Sequence, residues 1–232
     1  MIVLGVETSG PIGSFALRRD GRCVEERFLP ELGRRHARSL VPEIVTFLSR
    51  HELRLKAVEA IAVSVGPGSF TGLRVGVTFA KTLAYTLDAK LAAVETFAAI
   101  AEQSISASSV AVVADAQRRG VMLGRYRRTA GGCFERRGEI ELVSLGRLTD
   151  ALGDVALVSG PGIASVGALH FVGFDLAAPH LALPRASTVA RLGEAQLHRG
   201  QIADAWTLEP LYVRKSGAEE TRDEKTSKPS DA

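Results

Sequence analysis

The sequence predicts an α/β protein built from two similar halves, and three observations support this. Short apolar runs with the length of buried strands alternate with stretches whose apolar residues recur at helical spacing. Each half begins with an apolar strand that ends in an acid, Glu7 in the first and Asp115 in the second. Each half later shows a buried strand followed by Gly-Pro-Gly, at 66–68 and 160–162. A repeat period of about 100 residues is typical of a domain duplication and not of a solenoid.

The first half is predicted to form three strands, a helix and then two strand–helix units. Asp20-Gly21 separates the second strand from the third and is a strong hairpin signal. Pro42 falls within the first helix and implies an early-turn position or a kink. The predicted bounds are 2–6, 13–18 and 23–28 for the first strands, 35–50 for the helix, and then strand 60–65, helix 72–87, strand 90–94 and helix 96–104.

The second half repeats this plan loosely. From Lys215 onward the chain has no aromatic and no large aliphatic residue, so it cannot offset its ordering entropy and should be disordered. The predicted elements are strands at 110–114, 121–127 and 134–143, a helix at 145–152, a strand at 155–158, a helix at 187–198 and an extended ending at 209–214. We expect one lobe at 1–105, a second at 106–214 and a tail at 215–232. Whether residues 187–212 pack back on the first lobe stays open.

Composition places the chain among ordinary globular proteins. Hydrophobic residues make up 46% and charged residues 24%, which excludes a wholly disordered, collagenous or coiled-coil protein. Cys23 and Cys133 lie too far apart for a C-x-x-C motif, so the sequence offers neither a disulfide framework nor a thiolate zinc site. No apolar stretch is long enough to cross a membrane, and the N-terminus does not read as a secretory signal. We therefore expect a cytoplasmic protein with no membrane partner.

The segment 66–74 carries the clearest chemical signal. It joins a buried strand to a helix, where free backbone N–H groups and the helix dipole favour an anion. Gly66 and Gly68 would let a phosphate approach closely, and Ser69 or Thr71 could cap the helix. The spacing of a Walker loop is absent, because no lysine follows the last glycine. A tight turn with ordinary capping is therefore an alternative to a phosphate loop.

Glu7 and Asp115 are the candidate carboxylates. Each ends the first strand of its half, where a cleft between two duplicated lobes would receive it. In a phosphoryl-transfer enzyme such carboxylates hold Mg²⁺ or orient water. A stand-alone ATP-dependent kinase or hydrolase is therefore one hypothesis, and ordinary ion pairs with neighbouring arginines are the other.

Other catalytic arrangements have little support. The five histidines are dispersed and none are spaced i, i+4 as metal ligands on a helix, and no serine sits in G-x-S-x-G. We predict no catalytic residue and no metal site. Eight arginines between 118 and 147 suggest an RNA-binding module as a third reading. Only Tyr126 and Phe134 lie among them, so base stacking is poorly supported.

Small residues mark one face of the helix predicted at 72–87. Gly72 and Gly76 are four apart, so a second helix could approach closely. The helix that carries Leu40, Ile44 and Phe47 is its natural neighbour. The apolar surface of this pair exceeds what one small domain needs, which leaves both an internal core and a partner interface open.

The run Gly66-Pro67-Gly68-Ser69-Phe70-Thr71-Gly72-Leu73-Arg74-Val75-Gly76 resembles the signature of the bacterial TsaB (YeaZ) family. The start of the chain at 2–9, His36 with 40–42, Asp115-Ala116 and the run 210–214 fall in matching order, so the resemblance covers about residues 1–214. It implies a duplicated actin-like ATPase (ribonuclease H-like) fold with two lobes, in agreement with the internal repeat. Family members commonly carry aspartate where Glu7 stands.

The resemblance also implies a function. TsaB proteins are described as non-catalytic partners of TsaD that work with the small ATPase TsaE. Together these proteins add threonylcarbamoyl to the adenosine 3′ of the anticodon in tRNAs reading codons that begin with A. We therefore expect a pseudoenzyme that serves as a scaffold or activator of TsaD, forms a homodimer in isolation and reaches tRNA through the complex.

Cofactor and contact residues follow from the same resemblance. The histidine pair that holds metal in TsaD has no counterpart at 94–101, and we expect no cofactor, with ATP or ADP held only at a partner interface. The implied dimerising surface comprises His36, Leu40, Ile44, Phe47, Gly72, Gly76, Phe79, Ala80 and Leu83. The candidate nucleotide contacts are Gly66, Gly68, Ser69 and Thr71, as a vestigial phosphate loop, with Glu7 and Asp115.

Overall fold

Two mixed β-sheets organise the chain in the computed structural model, which describes residues 1–29, 36–116 and 120–213. The side chains of residues 36–39 lie outside that description, as does the tail predicted at 215–232. None of the helices in the described ranges is long and apolar enough to cross a membrane.

The first sheet has five strands in the order β3-β2-β1-β4-β5. The strands are β1 (Ile2–Glu7), β2 (Ser14–Arg19), β3 (Arg22–Phe28), β4 (Ala60–Gly66) and β5 (Lys90–Glu95). β1 runs antiparallel to β2 and parallel to β4. The predicted hairpin is confirmed, and Asp20 and Gly21 both adopt the positive φ that a two-residue hairpin turn requires.

Alternating residues of the first sheet face two different helical layers. Leu4 and Val6 point into a core shared with α1 (His36–Arg50) and α2 (Phe70–Leu87). Val3, on the other face, packs with α6 (Ala186–His198). α6 lies very close to the strands, because a Cβ at Gly5 would overlap the backbone carbonyl of Ala186.

The second sheet repeats the arrangement of the first with four strands in the order β8-β7-β6-β9. These are β6 (Ser109–Asp115), β7 (Gly120–Arg128), β8 (Phe134–Ser144) and β9 (Leu157–Ser159). β6 runs antiparallel to β7 and parallel to β9, as β1 does with β2 and β4. α4 (Leu148–Leu152) and α5 (Gly162–Val166) contribute to the core on one face. The predicted duplication of an α/β unit is therefore visible in the strand topology.

Each sheet also receives a helix from the other half of the chain. α3 (Thr96–Ala101) follows the first sheet in sequence, yet its Phe97 and Ile100 enter the core of the second sheet. α6 follows the second sheet and packs on β1, β2, β4 and β5. Residues 186–213 thus return to the first lobe, which the sequence left open.

Several helices and strands differ from their predicted bounds. α2 begins at Phe70 instead of 72, because Ser69 Oγ accepts a hydrogen bond from the Gly72 N–H at 3.2 Å and caps the helix. α3 ends at Ala101, and the helix predicted at 145–152 is a 3-10 turn followed by α4. β9 covers 157–159 instead of 155–158, and the described part of the extended ending, 209–213, joins no strand.

Candidate functional site

A cavity of about 1130 Å³ lies between the two lobes. Both Gly-Pro-Gly turns contribute to its wall, Pro67-Gly68 from the first lobe and Gly160-Pro161 from the second. The remaining wall includes Ser9, Gly10, Ser69, Phe70, Thr71, Asp115, Ala116 and the residues Leu211, Tyr212 and Val213. The two repeated motifs thus meet at one cleft, as the duplication predicts.

The candidate phosphate loop is divided between the cavity and the interior. Gly68, Ser69 and Thr71 line the cavity, whereas Gly66 lies behind it. Gly66 has a φ of 117°, and a Cβ there would come 2.6 Å from the Leu211 carbonyl. A Cβ at Gly68 would come 2.6 Å from the Ser9 carbonyl. These glycines therefore allow backbone segments to touch, and Thr71, the alternative cap, lies inside α2.

Glu7 lies behind the cavity wall and is completely buried. Its Oε1 accepts hydrogen bonds from the Ser9 hydroxyl at 2.6 Å, from the Ser9 amide and from the Gly10 amide at 3.2 Å. The other oxygen, Oε2, has no hydrogen-bond partner among the described residues. Burial raises the pKa of Glu7, and the hydrogen bonds from Ser9 partly oppose that effect. The carboxyl group thus orders the turn at 8–10 and does not line the cavity.

Asp115 is exposed and lines the cavity at the end of β6. Glu7 and Asp115 therefore do not both line the cavity, although the kinase hypothesis needs both at the cleft. Among the described residues of the cavity wall, Asp115 carries the only formal charge, and neither lysine nor arginine is present. In the described ranges, no cluster of three or more His, Cys, Asp or Glu side chains could hold a metal ion.

The C-terminal strap, residues 203–213, adds a third wall to the cavity through Leu211, Tyr212 and Val213, and sequence reasoning missed it. Leu211 donates its amide to the Val65 carbonyl at 2.6 Å. Tyr212 packs on Phe70 with ring centroids 4.8 Å apart, and Arg74 Nε donates to the Tyr212 hydroxyl at 3.1 Å. The Arg74 guanidinium also lies 3.9 Å from the Phe70 ring centroid. The only sequence signal for this wall was the aromatic and aliphatic run at 210–213.

The residues of the implied dimerising surface are mostly inside the chain's own core. Leu40, Ile44, Phe47, Gly72, Gly76, Ala80 and Leu83 are buried, Phe79 is half-buried, and the His36 side chain lies outside the described part. The physical reason is that α1 and α2 each have one apolar face, and that face covers the first sheet. On the outer face of the pair, Val41 and Val45 are 49% and 45% exposed.

Comparisons with known proteins cover nearly the whole chain. The "tRNA threonylcarbamoyladenosine biosynthesis protein TsaB" of Bacillus subtilis is 29% identical over 231 residues, which is 94% of this chain and 96% of that protein. TsaB of Haemophilus influenzae is 29% identical over 226 residues, which is 92% of this chain and 94% of that protein. The family model of TsaD, tRNA N6-adenosine threonylcarbamoyltransferase, matches residues 28–140.

Solved structures agree with these sequence relatives. The structure of YeaZ from Pseudomonas aeruginosa superposes with a TM-score of 0.77 at 28% identity, covering 91% of this chain and 99% of that chain. A second structure, of a protein with similarity to peptidase YeaZ from Pseudomonas aeruginosa, has a TM-score of 0.79 at 28% identity and covers 92% and 99%. The likeness thus extends over both lobes. The chain has the duplicated actin-like ATPase (ribonuclease H-like) fold, and these relatives support its assignment to the TsaB (YeaZ) family.

Proposed function

We propose that this chain is a non-catalytic subunit of the machinery that adds threonylcarbamoyl to the adenosine 3′ of the anticodon in tRNAs reading codons that begin with A. The observation that carries the proposal is the alignment of TsaB proteins, named for tRNA threonylcarbamoyladenosine biosynthesis, over nearly the whole chain. The match of a TsaD model to residues 28–140 supports kinship with the enzyme it would assist.

The chemistry of the cleft supports a binding role over a catalytic one. Phosphoryl transfer needs positive charge near the transferred group and a carboxylate that orients metal or water. Here the carboxyl group of Glu7 is buried behind the wall, and the described lining of the cavity contains neither lysine nor arginine. The chain would act as a scaffold or activator, with ATP or ADP held only where a partner completes the site.

The outer face of α1 and α2 is our candidate contact with a TsaD homologue. Val41 and Val45 are one helical turn apart on α1 and exposed. Val75 and Phe79 of α2 have the same spacing and pack against the core while staying partly exposed. Apolar residues at i and i+4 on an open helix face are typical of helix-to-helix docking. The α1–α2 pair of this chain and a matching helix pair of the partner would form a four-helix contact. The partner is either TsaD or a second copy of this chain. TsaE and tRNA would then join through the complex.

Depletion in the native organism tests the role. Loss of this chain should remove most threonylcarbamoyladenosine from bulk tRNA, measured by mass spectrometry of nucleosides, and the parent sequence should restore it. A Val41→Asp/Val45→Asp variant should restore little and should lose co-purification of the TsaD homologue. Thr149→Asp, on an exposed position of α4, should behave like the parent.

Two outcomes would contradict the proposal. One is an unchanged level of the modified nucleoside after depletion. The other is ATP hydrolysis or tRNA modification by the purified chain alone at an enzymatic rate. Turnover that disappears in Asp115→Ala would instead support the stand-alone ATP-dependent kinase or hydrolase.

A further inference from the structure

α3 lies between the two sheets and has an acid at each end. Glu95, immediately before the helix, accepts a hydrogen bond from the Tyr126 hydroxyl of β7, and its Oε2 lies 3.5 Å from Nη1 of Arg136 on β8. Glu102, immediately after the helix, accepts the Phe134 amide of β8 at 2.7 Å. Both ends of α3 are thus tied to the second sheet.

The same acid at 102 also reaches the first lobe. Glu102 Oε2 accepts a hydrogen bond from Arg191 Nη2 of α6 at 2.8 Å, and α6 is packed on the first sheet. The Glu102 side chain is only 6% exposed, whereas Arg191 is 41% exposed, so the bridge is buried on its carboxylate side. Burial and the nearby Glu95 carboxylate raise the pKa of Tyr126, which keeps the hydroxyl at the other end of α3 as a donor.

Close packing fills the space between the two acids. Phe97 and Ile100 lie in one buried cluster with Val110, Val112 and Tyr126 of the second sheet. A Cβ at Gly124 would come 2.9 Å from the Phe97 ring, so β7 and α3 have no room to slide past each other.

The two segments that connect the lobes are linked to each other as well. The chain passes between the lobes at 102–108 and again at 177–185. Gln103 Nε2 donates to the Leu183 carbonyl at 2.8 Å and to the Leu181 carbonyl at 3.3 Å, across the two segments. Arg128 of β7 donates to the carbonyls of Ser104 at 2.8 Å and Ala107 at 3.0 Å. Each connecting segment is therefore fixed by side chains from outside it.

We propose that these contacts form an interlobe lock that holds the two lobes at one angle and the cleft at one width. Domain closure needs a few connecting residues to change their backbone angles. Here such a change would separate the buried Glu102 carboxylate from Arg191 and the Gln103 amide from the Leu181 and Leu183 carbonyls, and the loss of such bonds is costly for buried groups. The lock concerns motion within this chain and holds whether or not the chain assists TsaD.

The two native cysteines provide the probe. Cys23 lies on β3 of the first sheet, Cys133 precedes β8 of the second, and both thiols are exposed. Nitroxide labels at these positions should give one narrow distance distribution by pulsed electron spin resonance, unchanged by ATP with Mg²⁺. A Glu102→Ala/Gln103→Ala variant should give a distribution about twofold wider. Glu141→Gln, which removes an ion pair with Arg125 inside the second sheet, is the matched control and should stay narrow.

A broad or two-peaked distribution in the parent chain, or a shift on adding nucleotide, would overturn the lock. So would a folded double variant with the parent's width. If Glu102→Ala prevents folding, a Gln103→Ala/Tyr126→Phe double variant decides the question, because it removes only neutral hydrogen-bonding groups. A parent-like width in that double variant would equally overturn the proposal, and broadening would support it.

Discussion

The side chain of Thr8 occupies the space that a side chain at Gly76 would need. A Cβ at Gly76 would overlap Thr8 Oγ1, and that hydroxyl donates to the Gly72 carbonyl at 2.7 Å. The small face of α2 therefore receives the turn that follows β1 and not a partner helix. The spacing of Gly72 and Gly76 resembles a motif for close helix-to-helix packing. Here it allows α2 to contact the turn that follows β1 at the cleft.

Gly76→Val should destabilise the folded chain itself. Valine gains only a few tenths of a kcal/mol of helix propensity over glycine, whereas overpacking against Thr8 should cost about 1 to 3 kcal/mol or more. Urea unfolding followed by circular dichroism measures the change. Thr78→Ala, exposed on the same helix, should leave the free energy of unfolding unchanged within about 0.5 kcal/mol. Equal stability of Gly76→Val and the parent would refute the close contact between Gly76 and Thr8.

Glu7→Gln should change how stability depends on pH. Burial raises the pKa of Glu7 above its ordinary value of 4.5, so above that pH the folded state keeps a proton that the unfolded state releases. The free energy of unfolding of the parent should therefore fall as pH rises from 4.5 towards the raised pKa. Glutamine mimics the protonated acid and lacks this fall, so its advantage over the parent should grow with pH.

Urea titrations at several values from pH 5 to pH 8 test the Glu7 prediction. Glu135→Gln removes an exposed carboxylate on β8 and should follow the parent curve. Parallel curves for Glu7→Gln and the parent would show that Glu7 titrates alike in the folded and unfolded states.

Glu26→Ala should remove the contacts that hold the N-terminus of α6 and should lower the free energy of unfolding. This carboxylate accepts hydrogen bonds from the Ser187 hydroxyl at 2.7 Å, the Ser187 amide at 3.2 Å and Arg185 Nε at 2.9 Å, and α6 has no cap of its own from Arg185. Loss of a cap and of a charge-assisted bond should cost about 2 kcal/mol in thermal or urea unfolding. Glu25→Ala breaks only the half-exposed contact with His51 and should cost under about 1 kcal/mol. Similar losses in the two variants would contradict the capping role.

Lys81→Met should release the middle of the C-terminal strap. Lys81 Nζ donates to the carbonyls of Leu208 at 2.8 Å and Trp206 at 3.3 Å. Amide exchange at 206–208 should become about tenfold faster, because each lost bond is worth about 1 kcal/mol. Trp206 is the only tryptophan of the sequence, so its fluorescence anisotropy should fall as well. Lys56→Met, at an exposed lysine, serves as the control. Unchanged exchange in Lys81→Met would contradict the proposed role of Lys81 in holding the strap.

Local patterns in the sequence determined the elements and the duplication. Apolar periodicity located the strands and helices to within a few residues, Asp20-Gly21 located the first hairpin, and the two Gly-Pro-Gly turns indicated the cleft. These features depend on neighbouring residues, whose backbone preferences and side-chain spacing act within one or two turns. The long glycine motif also carried the resemblance that the relatives confirmed.

The tertiary structure alone decided which groups meet. Apolar periodicity shows that one face of α2 is buried. It does not show that Thr8, instead of a partner, covers the glycines of that face. The sequence placed Glu7 and Asp115 at equivalent strand ends, yet only the folded chain turns the carboxyl group of Glu7 inward and leaves Asp115 at the cavity. Contacts such as Glu26 with Ser187 join residues 161 positions apart. Pairings at that separation depend on the packing of the whole chain, and no local preference encodes them.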